Sequence, residues 1–150
     1  MVEREQWRLT ADITTKTDPI SSNLERIDST GFGYIGTGMS VSSGLWTFPS
    51  TGIYLILFNC DMEGNAGDNI VINLFITTDN GSNYHGVAEA VGSATNASTN
   101  QATQLFIFDV TDTSTHKVKF QGTSIGSGGK IRGDTDETKT SFTFIRIGDT

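Results

Sequence analysis

The sequence predicts an all-β protein, an antiparallel sandwich or barrel with no helical layer. Three observations carry that prediction. Apolar residues come in short bursts rich in β-branched and aromatic side chains, and none keeps the roughly 3.6-residue period of an amphipathic helix. The bursts are separated by Gly, Ser, Thr, Asn and Asp, the residues that tight turns require. Their spacing along 150 residues suits one domain of stacked antiparallel strands.

Residues 1–6 read as a charged N-terminal arm and residues 7–150 as a single domain. Strands are expected at 6–13 (QWRLTADI), 24–28 (LERID), 34–41, 44–48 (GLWTF) and 52–61 (GIYLILFNCD). The second half supplies 69–78 (NIVINLFITT), 84–90, 103–110 (TQLFIFDV), 116–122 (HKVKFQG) and 140–147 (TSFTFIRI). Turns fall at Ser42-Ser43-Gly44, Asp79-Asn80-Gly81, Thr111-Asp112-Thr113 and Gly126-Ser127-Gly128-Gly129. The stretch 92–102, GSATNASTNQA, reads as a polar loop.

Three strands are apolar on both faces. In IYLILF, Ile53, Leu55 and Leu57 oppose Tyr54, Ile56 and Phe58. In QLFIFDV, Leu105 and Ile107 oppose Phe106, Phe108 and Val110; in SFTFIRI, Phe142 and Phe144 oppose Ile145 and Ile147. An antiparallel sheet normally shows one face to water, so a second apolar face needs cover. With no helix to supply it, another subunit is the economical answer, and a local loop of the same chain is the alternative. The expected interface residues are Tyr54, Ile56, Phe58, Phe106, Phe108, Phe142 and Phe144. By contrast, HKVKF alternates, with Val118 and Phe120 inward and Lys117 and Lys119 outward.

Composition excludes several functions. A net charge of −7 argues against binding nucleic acid through its phosphates, which wants a basic face. The longest apolar run, IYLILF, is far too short to span a membrane, and MVEREQWRL has no apolar segment of the signal-peptide kind. The single cysteine, Cys60, has no internal partner and reads as a buried, inert thiol.

Several short motifs invite a chemical reading and fail its structural requirement. GFGYIG at 31–36 matches the dinucleotide pattern, but no buried strand precedes it and no helix follows. Gly122-Thr123-Ser124-Ile125-Gly126 spells a nucleophile elbow, yet no helix follows Ser124 and no His lies beyond His116. GSGGKI is no phosphate loop. Arg132-Gly133-Asp134 reads as a polar turn, as does the acidic stretch holding Asp61, Glu63, Asp68 and Asn69, which lacks calcium-loop spacing. Trp46 reads as core. No catalytic residue, cofactor site or metal site is expected.

The stretch GLWTFPSTGIYLILF, with Gly44, Trp46, Pro49, Gly52 and Tyr54, resembles the signature of C1q/TNF-like jelly rolls. TQLFIFDV, HKVKF and TSFTFIRI resemble that family's last strands in order and spacing. Ile56 departs from the pattern where an aromatic is usual, TDTST replaces the family's Gly-Asp turn, and no collagen stalk is present. The resemblance implies a ten-stranded antiparallel jelly-roll sandwich that forms compact homotrimers, their inner sheets packed around a threefold axis.

WRLTADIT, FPSTGIYLI, FDVTDTSTHKVKF and IRGDT…FIRIGDT further resemble C1q-like segments of marine bacteriophage virion proteins. That resemblance implies a non-enzymatic protein of the virion surface. The expected role is capsid decoration, in which the trimer binds the major capsid protein and stabilises the shell; an opening Met and the lack of a shaft favour it. The alternatives are the tip of a tail fibre that meets a host surface receptor or glycan, and a soluble C1q-like binding module. Expected partner contacts are Glu3 and Arg4 on the arm and Tyr84 and His85 after the Asp79–Gly81 turn.

Overall fold

The computed structural model describes residues 2–64, 68–94 and 98–150. Among them are eleven strands and no helix: β1 Arg4–Leu9, β2 Leu24–Arg26, β3 Ser40–Ser42, β4 Leu45–Thr47, β5 Gly52–Gly64, β6 Asp68–Thr77, β7 His85–Ala94, β8 Ser98–Val110, β9 Lys117–Thr123, β10 Lys130–Ile131 and β11 Ser141–Gly148. Every expected strand is present in some form, and the two-residue β10 adds one to the expected ten. β10 escapes a sequence reading because its two residues carry no period; it exists because Lys130 and Ile131 pair with Glu63 and Met62 at the end of β5.

The strands form two antiparallel sheets. In sheet A, β8 pairs with β5 along its whole length, and the other edge of β5 carries β10 and then β11, β1 and β2. Sheet B runs β3-β4-β9-β6-β7. The two sheets face each other over one aromatic core. Trp46 of β4 lies there with ring centroids 5.0 Å from Phe144, 5.1 Å from Trp7 and 6.1 Å from Phe142. Phe120 of β9 sits 4.4 Å from Phe142 and 5.4 Å from Phe58, so both sheets contribute to one cluster. Such tilted and edge-on pairs each add up to about 1 kcal/mol beyond burial.

Three expectations change. The loop placed at 92–102 is mostly strand: β7 reaches Ala94, and β8 begins at Ser98. The polar first half of β8 is held by its ladder with β5, where Ser98 meets Gly64 and Ala102 meets Cys60, so backbone pairing overrides weak propensity. The strand expected at 34–41 shrinks to Ser40–Ser42, because Gly36 and Gly38 take positive φ (87° and 78°) and turn the chain into a loop. The arm at 1–6 is corrected too: β1 starts at Arg4 and pairs with β11 from Arg4 to Arg8.

Candidate assembly interface

Alternation along β5 sends Tyr54, Ile56 and Phe58 into the core and Ile53, Leu55 and Leu57 to the outer face of sheet A. The partner strands follow the same register. Leu57 lies between Leu105 of β8 and Thr143 of β11; Leu55 lies between Ile107 and Ile145. Ile53 lies opposite Asp109. The result is an outward apolar patch of Ile53, Leu55, Leu57, Leu105, Ile107, Ile145 and Ile147. Leu105, Ile107 and Ile147 are 51%, 55% and 55% exposed, high values for large aliphatic side chains.

This corrects the expected interface. Tyr54, Ile56, Phe58, Phe108, Phe142 and Phe144 are buried between the two sheets of the single chain, and Phe106 is half-buried against Phe108. A side chain already enclosed by its own chain has no surface left to bury on a partner. Both faces of these strands are apolar, as read from the sequence, but the aromatic face is the core and the aliphatic face is free. The signal that separates them lies across the sandwich: Trp46, Phe48 and Phe120 need rings to pack against.

The patch is bounded by polar ladders and by an open edge. Beyond Leu57 and Leu105, Thr103 donates to Asn59 Oδ1 at 2.9 Å, and Gln101 donates to Asp61 at 3.0 Å. Asp61 is also paired with Arg132 at 3.2 Å. On its far side β8 pairs with no described strand; near its start Asn100 donates to the Ser93 carbonyl of β7 at 2.9 Å, and farther along it carries exposed Leu105 and Ile107 on an open edge. An edge of that kind is a template for association.

The sequence-predicted contact residues do not gather at one place. Glu3 and Glu5 are buried at 3% and 4% exposure, enclosed by the glycine-rich loop. Gly38 N–H donates to Glu3 at 3.1 Å, Met39 N–H donates to Glu5, and Arg26 pairs with Glu5 at 2.7 Å. The loop that follows GFGYIG thus holds carboxylates of its own chain, and Glu3 is a structural anchor unable to reach a partner. Arg4 is exposed on the outer face of sheet A. Tyr84 and His85 lie at the entry to sheet B: Tyr84, just before β7, is half-buried beneath the Lys119 ammonium, 4.6 Å from its ring, and His85 is exposed at the start of β7.

The remaining motifs are occupied structurally. Ser124 follows the end of β9 with φ of 58°, and no helix starts there. His116 bonds Thr111 and Thr115 and stacks on Phe108. Arg132 is tied to Asp61, and Asp134 is tied to Lys139 at 2.7 Å and to the N–H groups of Asp136 and Glu137. Those bonds hold the Asp134 carboxyl well below the usual carboxylate range, the Lys139 hydrogen bond most of all. Cys60 is buried, and burial, helped by the Asp61 charge, pushes its thiol up to about 12. Of the acidic stretch, Asp61 and Glu63 are engaged with Arg132 and Lys130, and the side chain of Asp68 lies outside the described residues. Among the described residues, no three His, Cys, Asp or Glu side chains are grouped to hold a metal ion.

No family model and no curated protein matches this sequence. Solved structures do match the fold. The Eiger TNF from S. frugiperda aligns over 99% of this chain and 94% of its own, with a TM-score of 0.71 and 11% identity. Murine APRIL at pH 5.0 aligns over 98% of this chain and 100% of its own, with a TM-score of 0.63 and 10% identity. At such identities the likeness speaks for the fold alone: this chain is an all-β, two-sheet jelly roll of the TNF-like kind.

Proposed function

We propose that this chain is a non-enzymatic structural and binding module that works as a homotrimer, with the outer face of sheet A as its self-association surface. One observation carries the reading: an aliphatic patch runs from β11 across β5 to an open edge at Leu105 and Ile107. Burying a large aliphatic side chain yields about 1.5–3 kcal/mol, so covering this patch offsets the entropy lost on association. The count of three rests on the resemblance of residues 44–58 to the C1q/TNF-like signature. Light scattering at micromolar concentration tests it. A mass of three times 16.2 kDa is expected, falling to 16.2 kDa in a folded Ile107→Asp variant; a wild type that stays at 16.2 kDa would remove the reading.

The place of this trimer is proposed to be a virion surface, where it decorates the shell. That part rests on the resemblance of WRLTADIT, FPSTGIYLI and FDVTDTSTHKVKF to phage virion segments. A decoration protein binds the assembled shell and stabilises it by mass action. Gel densitometry against the major capsid band of purified particles distinguishes it from a fibre tip. Hundreds of copies support decoration; a few copies per particle, with unchanged heat resistance in their absence, support the tip and a receptor or glycan partner.

A further inference from the structure

We infer that, across the head-to-tail contact a threefold ring requires, Arg4 of one copy pairs with Asp109 of the next. The inference rests on the assembly reading above and adds the contact that orients it. The outer face of sheet A carries few charges, and most are satisfied within the chain. Arg8 is paired with Glu25 and Asp28; Asp61 and Glu63 are paired with Arg132 and Lys130. Arg4 and Asp109 are both exposed, and no side chain among the described residues pairs with either.

These two charges stand at opposite ends of the apolar patch. One register row runs Arg4–Ile145–Leu55–Ile107, and Asp109 is the next outward position after Ile107 on β8. The two ends also differ in shape. Beside Arg4 lies a groove of about 280 Å³ whose walls include Gln6, Phe32, Thr143 and Ile145. At the other end Leu105 and Ile107 project from an unpaired edge strand, with Asp109 beside them. A groove with a cation fits a projecting apolar edge with an anion, and neither end fits a copy of itself. Like charges meeting across a docked apolar patch repel, so the pair also opposes the wrong orientation. A contact between two different patches propagates in one direction and closes into a ring when the rotation permits.

The test is a charge-swap cycle read by sedimentation and light scattering over a dilution series. Wild type, Arg4→Glu, Asp109→Arg and the double variant Arg4→Glu/Asp109→Arg are compared at moderate salt. Each single variant is expected to raise the dissociation constant at least about tenfold, and the double variant to return within about threefold of wild type. Circular dichroism melting of diluted monomers should be alike for all four, since both side chains are exposed. A double variant weaker than either single one, with the wild type assembled, overturns this contact and leaves the assembly reading standing. A wild type that saturates as a dimer overturns the head-to-tail ring, and a monomeric wild type removes both.

Discussion

Gly36 lies directly against the carboxylate of Glu3: a Cβ on Gly36 would stand 2.0 Å from Glu3 Oε2. The contact binds the glycine-rich loop to the strand that follows the N-terminus. Gly36→Ala must displace a buried carboxylate that accepts the Gly38 N–H, and must hold Ala at φ near 87°. The expected loss is about 1–3 kcal/mol. Gly33→Ala, in the same loop, meets nothing within 4 Å and should change stability by less than about 0.5 kcal/mol. Urea unfolding of both variants checks the pair; equal stability would mean the loop is not fastened at Glu3.

Neighbouring residues on β5 should separate folding from assembly. Ile56 is enclosed by the core, and Ile56→Ala is expected to cost about 2–5 kcal/mol through lost burial and the cavity left behind. Leu55 stands on the outer face between Ile107 and Ile145. Leu55→Ala should weaken self-association while shifting monomer stability by less than about 1 kcal/mol. Denaturation in an Ile107→Asp background reports the monomer alone, and light scattering reports assembly. A Leu55→Ala monomer as unstable as Ile56→Ala would place Leu55 in the core.

How far the sequence reveals this molecule depends on the length scale of the signal. Strands with several alternating residues, such as 52–58 and 140–147, were legible, and so was the surplus of apolar faces. Which face turns inward was not, because Tyr54 and Leu55 are both apolar; Trp46 and Phe120, contributed by the opposite sheet, decide it. Glu3 and Glu5 read as a charged arm because their burial depends on N–H donors more than thirty residues away, at Gly38 and Met39. Arg4 was visible as a charge, but its role as one end of a row on sheet A needed the register with Ile145.

The turn between β6 and β7 contains a carboxylate whose ionisation is linked to folding. Asn83 donates to Asp79 through its side chain at 2.6 Å and its backbone N–H at 2.9 Å, and the Thr77 hydroxyl adds a third bond at 2.7 Å. Together they lower its pKa to about 2, the Asn83 side chain most of all. A depressed folded value means the contribution to stability is complete above the unfolded value of about 3.9 and is lost as pH falls through about 2. The stability gap between wild type and Asp79→Asn should therefore be widest at pH 5 and shrink steadily towards pH 2. Urea midpoints at pH 5, 3 and 2 measure it, and a gap independent of pH would contradict the linkage.

Arg132-Gly133-Asp134 should behave as a structural corner and not as a displayed ligand motif. The Arg132 guanidinium is 3.2 Å from the buried Asp61 carboxylate, and its backbone N–H donates to the Asp61 carbonyl at 2.8 Å. Gly133 N–H donates to Asp12, and a Cβ there would lie 2.4 Å from the Ala11 carbonyl oxygen, so the turn is pressed against the chain before β2. Arg132→Ala leaves Asp61 enclosed with Gln101 as its remaining side-chain donor. The cost should be about 1–3 kcal/mol, because a buried acceptor that loses its charged partner carries the full desolvation penalty. Asp61→Asn alone should also destabilise. The double variant should lose at least about 1 kcal/mol less than the sum of the two singles, since each removes the same contact. Thermal or urea unfolding of the four proteins in the cycle measures that coupling. Additive losses would show that Arg132 and Asp61 act separately, and would free the tripeptide from the structural role assigned here.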